Sequence, residues 1–126
     1  MKKLTISIAL GTLLFASPFR EAFISIKKAD RIVISNPQKA NMLYIKAYDI
    51  LSNIMHKDLK NKKPSPNVLY LLGKLYLEGK GVSKNYKKAR NYLCYASQIG
   101  NARAGSLLTK HNITCPTNIT IKELEQ

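Results

Sequence analysis

The strongest constraint on the fold is a run of apolar and small residues that recur at helical spacing within residues 67–108. Leu69, Leu72, Gly73 and Tyr76 fall three or four positions apart, so they share one face of a helix. Gly73 costs a helix about 1 kcal/mol relative to alanine, and close packing against a partner helix has to offset that cost. The pattern therefore predicts a helix whose apolar face meets a second helix at short distance.

Small residues further along the same run predict the second helix of this pair. Gly79 and Gly81 interrupt the first helix and supply the positive φ angles of a tight turn. Ala89 and Ala96 then stand two helical turns apart, as small residues on the face that meets the first helix. Gly100 ends the second helix. The whole run thus predicts an antiparallel helix pair joined by a glycine turn.

The order and spacing of these residues resemble the Sel1-like repeat, a relative of the tetratricopeptide repeat. The clearest copy is residues 67–102, and the positions that match the repeat are Leu72, Gly73, Tyr76, Gly79, Gly81, Val82, Ala89, Tyr92, Ala96, Gly100 and Ala104. The resemblance implies an all-α fold, a short solenoid of antiparallel helix pairs in which these residues build the scaffold. It implies less about function, because scaffold positions pack against each other.

Helical periodicity continues before this repeat. Residues 19–56 are interpreted as a degenerate earlier repeat of two helices, with Phe19 and Phe23 on the apolar face of the first. Lys46-Ala47 resembles Lys88-Ala89 at a separation of 42 positions, and the extra residues are assigned to a basic, solvated loop at residues 57–66. The loop is expected because the segment is polar and contains two prolines.

The C-terminal part of the chain completes the predicted architecture. Leu107 and Leu108 lie in register with Leu71 and Leu72, and the register then fails, so the array stops partway into a further repeat. Residues 102–126 are therefore expected to form a C-terminal cap, beginning with a short helix. Because one repeat cannot bury its own apolar face, the domain is expected to contain about five helices.

The first 16 residues have the pattern of a secretory signal peptide. Lys2 and Lys3 precede an apolar stretch that ends at Ala16 and is too short to span a bilayer as a helix. A buried N-terminal helix and an uncleaved anchor are the alternatives. The signal interpretation predicts a mature domain of residues 17–126 that is periplasmic or secreted.

The two cysteines, Cys94 and Cys115, are candidates for one disulfide bond. An even cysteine count in an exported chain favours a disulfide, which here would pin the tail over the preceding helices and contribute about 3 kcal/mol. Two unpaired thiols are the alternative. In the Sel1-like family, paired cysteines often join helices within one repeat, but the spacing here is different.

The formal net charge of +14 suggests nucleic-acid binding at first, but other features of the sequence disfavour it. The chain has no RNP-like aromatic motif, zinc-finger spacing or glycine-rich phosphate loop, and export would separate it from cytoplasmic nucleic acid. The excess charge is better suited to steering an acidic protein partner. Contact with the anionic envelope through Lys57, Lys60, Lys62 and Lys63 is one alternative, and a compositional bias toward lysine without a binding role is another.

No paired carboxylates, nucleophile motif or metal-ligand spacing is recognisable, so the sequence predicts no catalytic residue, no metal and no cofactor. The resemblance implies a non-catalytic protein-interaction module, an adaptor or an immunity protein that binds an acidic toxin or a secretion component. Solenoids of this kind bind partners on the concave face lined by first helices, and Tyr70, Lys74 and Leu77 are the predicted contacts there. A cell-wall or lactam hydrolase, an activity suggested for some relatives, is a further alternative.

Overall fold

The computed structural model describes residues 17–126, and in this range the chain forms six helices and no strand. The helices are α1 (Pro18–Ile32), α2 (Pro37–Lys60), α3 (Pro66–Glu78), α4 (Tyr86–Gln98), α5 (Ala102–Lys110) and α6 (Ile121–Leu124). The first five are the predicted helices, and α6 is an additional single turn. The predicted signal peptide, residues 1–16, lies outside the described residues.

Local sequence signals explain where these helices begin. A proline occupies the first turn of α1, α2 and α3, where its missing N–H costs no hydrogen bond. The side chains of Asn36, Asn85 and Asn101 cap α2, α4 and α5, each accepting a hydrogen bond from the backbone N–H three residues later. The short connections between capped helices force consecutive helices to run antiparallel.

The helices pack in chain order as stacked pairs. Helix α1 packs on α2, and α3 packs on α4, while α2–α3 and α4–α5 contacts join successive repeats. Helix α5 begins a further repeat, because Ala104 and Leu108 are buried as Val68 and Leu72 are in α3. The architecture confirms the predicted all-α fold with stacked helix pairs.

The predicted basic loop is shorter than the sequence indicated. Helix α2 continues to Lys60, so Lys57 and Lys60 are helical and only residues 61–65 form the connection. The helix persists because Met55 is buried and Leu59 packs against the core, which extends its apolar face by another turn. All four lysines at this end of the molecule are exposed.

The capping residues also correct the internal register. Asn36 caps α2 as Asn85 caps α4, which places Lys39 rather than Lys46 in the position of Lys88. In the same register the fully buried Ala40 and Ala47 correspond to the fully buried Ala89 and Ala96. The predicted pairing of Lys46-Ala47 with Lys88-Ala89 is therefore wrong by two helical turns. Periodicity alone did not reveal the correct pairing. Alanines recur seven positions apart in both helices, so Ala89 can be aligned with either Ala40 or Ala47.

Two glycines mark the closest approaches between helices. A Cβ atom added to Gly73 would lie 2.7 Å from Cγ of Leu93, so α3 and α4 touch at this position as the sequence predicted. Gly81 has φ +74°, and a Cβ atom there would overlap the backbone carbonyl of Tyr44 in α2. The turn between α3 and α4 therefore lies directly on the backbone of the preceding repeat.

The substitution Gly81→Ala should destabilise the protein by about 1–3 kcal/mol more than Gly100→Ala. Both glycines have positive φ, so both substitutions strain the backbone, but a Cβ atom at Gly100 would meet no atom within 4 Å. Urea unfolding followed by circular dichroism measures the difference. Equal losses would show that the turn does not press on α2.

The C-terminal tail is fastened to α4 by three kinds of contact. Cys94 and Cys115 form a disulfide bond, as predicted. The side-chain amide of Gln98 donates to the backbone carbonyl of Ile119 and accepts from its N–H, both at 3.0 Å. Ile113, Ile119 and Leu124 are buried. The tail therefore covers part of the surface of α4.

Removing the disulfide through Cys94→Ala with Cys115→Ala should lower the free energy of unfolding by about 3 kcal/mol, because the unfolded chain regains the entropy of an open loop. Urea unfolding of the oxidised protein and the double variant measures this loss. Gln98→Ala, with the disulfide intact, should cost only about 1–2 kcal/mol. A double variant no less stable than Gln98→Ala would contradict the assignment of the disulfide as the main fastening of the tail.

Candidate functional site

A groove runs along the face that carries α1, α3 and α5, the first helices of the repeats. It consists of three adjoining depressions of 470, 50 and 310 Å³. We call it the first-helix groove, and its central lining residues are Phe19, Phe23, Lys27, Asp30, Tyr70, Leu71, Lys74, Glu78, Arg103, Leu107 and Lys110. It lies on the first-helix face that the sequence predicted for partner binding.

Tyr70 and Arg103 form the centre of the first-helix groove. These two side chains border all three depressions, whereas the other lining residues border one or two. Tyr70 projects from α3 and Arg103 from the first turn of α5. Any ligand that spans the groove has to pass between or over them.

The largest depression has an aromatic floor. Phe19 and Phe23 lie one turn apart on α1, so both point toward α3, where they face Tyr70 and the buried Leu71. Phe19, Phe23 and Tyr70 are half-buried, because each packs on the core with one side and borders the groove with the other. The polar edge is formed by Asn67 and Asn101.

The two carboxylates of the groove are already engaged. Asp30 accepts a hydrogen bond from the Tyr44 hydroxyl, and Lys80 lies 3.8 Å from Asp30 and 3.7 Å from Glu78. The Lys80 ammonium also sits 5.2 Å from the centre of the Tyr44 ring. Burial of Tyr44 and its bond to Asp30 raise the pKa of the phenol well above its usual range. The single positive charge of Lys80 is thus shared between the two acidic groups.

The other cations of the groove have no such partner. Among residues 17–126, no carboxylate lies within 4.0 Å of Lys27, Lys74, Arg103 or Lys110. Lys27 instead lies over the ring of Phe23, 5.5 Å from its centre. The first-helix groove therefore combines an apolar floor with an uncompensated positive rim.

The predicted partner contacts divide between the groove and the core. Tyr70 and Lys74 line the groove, but Leu77 is only 6% exposed and belongs to the core, so its prediction as a partner contact is wrong. Because α3 packs on both α2 and α4, only a narrow stripe of its surface remains open, and Leu77 lies beside that stripe.

Apart from Tyr70 and Lys74, the groove residues were not predicted from the sequence, and Phe19, Phe23 and Arg103 are the most consequential of them. Phe19 and Phe23 were placed on the apolar face of α1, but no partner contact was predicted for them. Arg103 belongs to a different helix and had no pattern linking it to Tyr70. The only feature of the sequence that distinguished Arg103 was its residue type, because arginine is rare in this lysine-rich chain.

Leu77→Ala should lower the free energy of unfolding by about 2–5 kcal/mol, because it opens a cavity in the core. Lys74→Ala, one turn away on the groove side, should change stability by no more than about 0.5 kcal/mol. Thermal or urea unfolding of both variants tests the reassignment. An unchanged free energy of unfolding for Leu77→Ala would show that Leu77 is not a core residue.

A second aromatic cluster joins α2, α3 and α4 outside the first-helix groove. The hydroxyls of Tyr48 and Tyr76 are 2.8 Å apart, and the Tyr76 ring meets those of Tyr48 and Tyr92 edge to face at 5.7 Å. The Lys88 ammonium lies 5.4 Å from the Tyr76 ring centre. Burial raises the pKa values of Tyr76 and Tyr92 above the usual tyrosine range. These contacts pack the three helices against one another.

Within residues 17–126, no group of three or more His, Cys, Asp and Glu side chains is placed to hold a metal ion. In the same range, no helix is both long and apolar enough to cross a bilayer. The expectation of no catalytic residue stays a prediction, as does an envelope contact through Lys57, Lys60, Lys62 and Lys63.

The family model of the Sel1 repeat matches residues 30–49 and 66–101. The first segment covers the end of α1 and the first half of α2, and the second covers all of α3 and α4. No curated protein and no solved structure matches the chain.

Proposed function

This chain is a Sel1-like repeat protein, and we propose that it is a non-catalytic interaction module that holds a segment of a protein partner in the first-helix groove. Sel1 repeats generally mediate protein–protein interaction, which gives the broad class of function. The observation that carries the assignment to the groove is the row of half-buried aromatic side chains, Phe19, Phe23 and Tyr70, beside Arg103. Aromatic residues and arginine supply most of the binding energy in typical interfaces.

The fold supports this use of the first-helix groove. Packing between α1 and α2, between α3 and α4, and between successive repeats fixes the relative positions of the helices that line it. The groove combines side chains from three helices that the solenoid holds in fixed relative positions. It therefore offers an extended surface whose backbone does not have to become ordered when a partner binds. A partner segment would cover the exposed sides of the aromatic rings.

An extracytoplasmic location fits the chemistry of the described residues. The Cys94–Cys115 disulfide is compatible with an oxidising compartment, and residues 1–16 have the pattern of a signal peptide. Residues 17–126 carry 19 Lys and Arg against 7 Asp and Glu, and this net charge of +12 suits an acidic partner, which it would attract over distance. Within the proposal, the protein acts as an adaptor for a secretion component or as an immunity protein that inhibits a toxin.

Tyr70→Ala tests the proposed groove, with Tyr86→Ala as the matched control. Tyr86 is also a helical tyrosine, is 54% exposed and borders none of the groove depressions. Purified oxidised protein is immobilised, envelope and secreted fractions are passed over it, and retained proteins are identified by mass spectrometry. The amount of a partner that is retained by the wild type and by Tyr86→Ala should fall about tenfold or more when Tyr70→Ala is immobilised instead.

Two results would contradict the proposed function. Retention of no protein at low salt would count against an interaction module, because electrostatic attraction is strongest there. Equal retention by all three proteins would show that the partner binds outside the first-helix groove. Circular dichroism of each variant confirms that a loss of binding is not a loss of fold.

A further inference from the structure

We infer that the Tyr70–Arg103 junction recognises an acidic linear segment that carries one large apolar side chain. The inference rests on the proposed function and adds the chemistry of the segment that the first-helix groove selects. It follows from three separate features of the junction. These are an apolar depression on one side, unpaired cations on the rim, and a polar contact that joins its two walls, α3 and α5.

The largest depression accepts the apolar side chain. Its volume of 470 Å³ lies in the range of sites that enclose a small organic group. Phe19, Phe23 and Leu71 offer an apolar lining, and the Tyr70 ring closes one side. A phenylalanine or leucine of the partner inserted here would remove apolar surface from water on both molecules, and an aromatic ring would gain edge-to-face contacts in addition.

The rim selects acidic neighbours for that side chain. Lys27, Lys74, Arg103 and Lys110 bring four positive charges to the groove, and Lys80 already holds its two carboxylates. Arg103 and Lys110 lie about two helical turns apart, roughly 10 Å along α5. Carboxylates before and after the apolar side chain would therefore meet cations along the groove.

Arg103 is the best placed of these cations for specific recognition. Its guanidinium can bind a carboxylate with two parallel hydrogen bonds, which a lysine ammonium cannot reproduce. A basic segment would instead meet a groove in which five cations outnumber two carboxylates, both of which already lie near Lys80. The groove thus discriminates by repulsion as well as attraction.

The two walls of the junction are joined by Asn101. Its side-chain amide donates to the backbone carbonyl of Pro66 at 3.4 Å and to Oδ1 of Asn67 at 3.2 Å. Its Oδ1 accepts from the backbone N–H of Ala104, so the same buried side chain caps α5 and ties it to the start of α3. Tyr70 and Arg103 are consequently held on prearranged helices before any partner binds.

Fluorescence anisotropy with synthetic peptides tests the inference. The main probe is a short fluorescein-labelled peptide of aspartate and glutamate residues with one central phenylalanine. A second probe has serine in place of phenylalanine, and a third has lysines in place of the acidic residues. The oxidised wild-type protein should bind the main probe about tenfold more tightly than the serine probe and should not bind the lysine probe.

Arg103→Glu is the informative variant, and Arg31→Glu is its control. Both arginines are exposed, both changes alter the net charge equally, and Arg31 borders none of the groove depressions. Arg103→Glu should weaken binding of the main probe about tenfold or more, whereas Arg31→Glu should change it less than about twofold. Equal weakening by both variants, or equal affinity for the main and serine probes, would overturn the inference.

The same proteins separate failure of this inference from failure of the proposed function. If a native partner is lost on Tyr70→Ala but retained on Arg103→Glu and not displaced by the main probe, the groove binds a partner of other chemistry. The proposed function then stands and the inference is wrong. If Tyr70→Ala retains the partner as well, the proposed function itself is wrong.

Discussion

The turn between α3 and α4 presses on the backbone of α2, and the arrangement of the repeats depends on this contact. Gly81 allows it, because any larger residue would overlap the carbonyl of Tyr44. The same Tyr44 reaches Asp30 in α1 through its hydroxyl, and Lys80 in the turn lies over its ring. One residue of α2 therefore links the first repeat to the second and fixes how far α1 stands from α3.

This linkage also determines the electrostatic character of the groove. Lys80 belongs to the turn and lies near both Asp30 and Glu78, so its positive charge is shared between the two carboxylates of the groove. Lys27, Lys74, Arg103 and Lys110 pair with no carboxylate of the described residues and leave the groove positive. Scaffold and binding surface are thus coupled, because the turn that stacks the repeats also places a cation beside the negative charges that would oppose an acidic partner.

The parts of the structure that were predictable from the sequence are those with a local cause. Gly73 predicted the close approach of α3 and α4, and the spacing of Cys94 and Cys115 allowed the disulfide. Leu77 was misassigned because a helix that packs on two neighbours has a narrower open stripe than periodicity alone suggests. The end of α2 was missed because the burial of Met55 outweighs the polar sequence that follows it.

The binding groove was the least predictable feature, for a different reason. Phe23, Tyr70 and Arg103 come from three helices, and each helix has its own period. No window of sequence contains all three, so their proximity emerges only when the stacking distance is known. An apolar residue on a first helix has the same signature whether it lies in the core or borders the groove.

The disulfide-bonded tail has a consequence for how this chain can evolve. Repeat proteins commonly change length by duplicating a unit at one end, which needs an open helix face for the new unit to stack on. Here the tail lies against α4, and Cys115 holds it there covalently. A new unit stacked on α4 at this end would have to displace that tail and break the bond. The disulfide therefore opposes extension of the array at its C-terminal end.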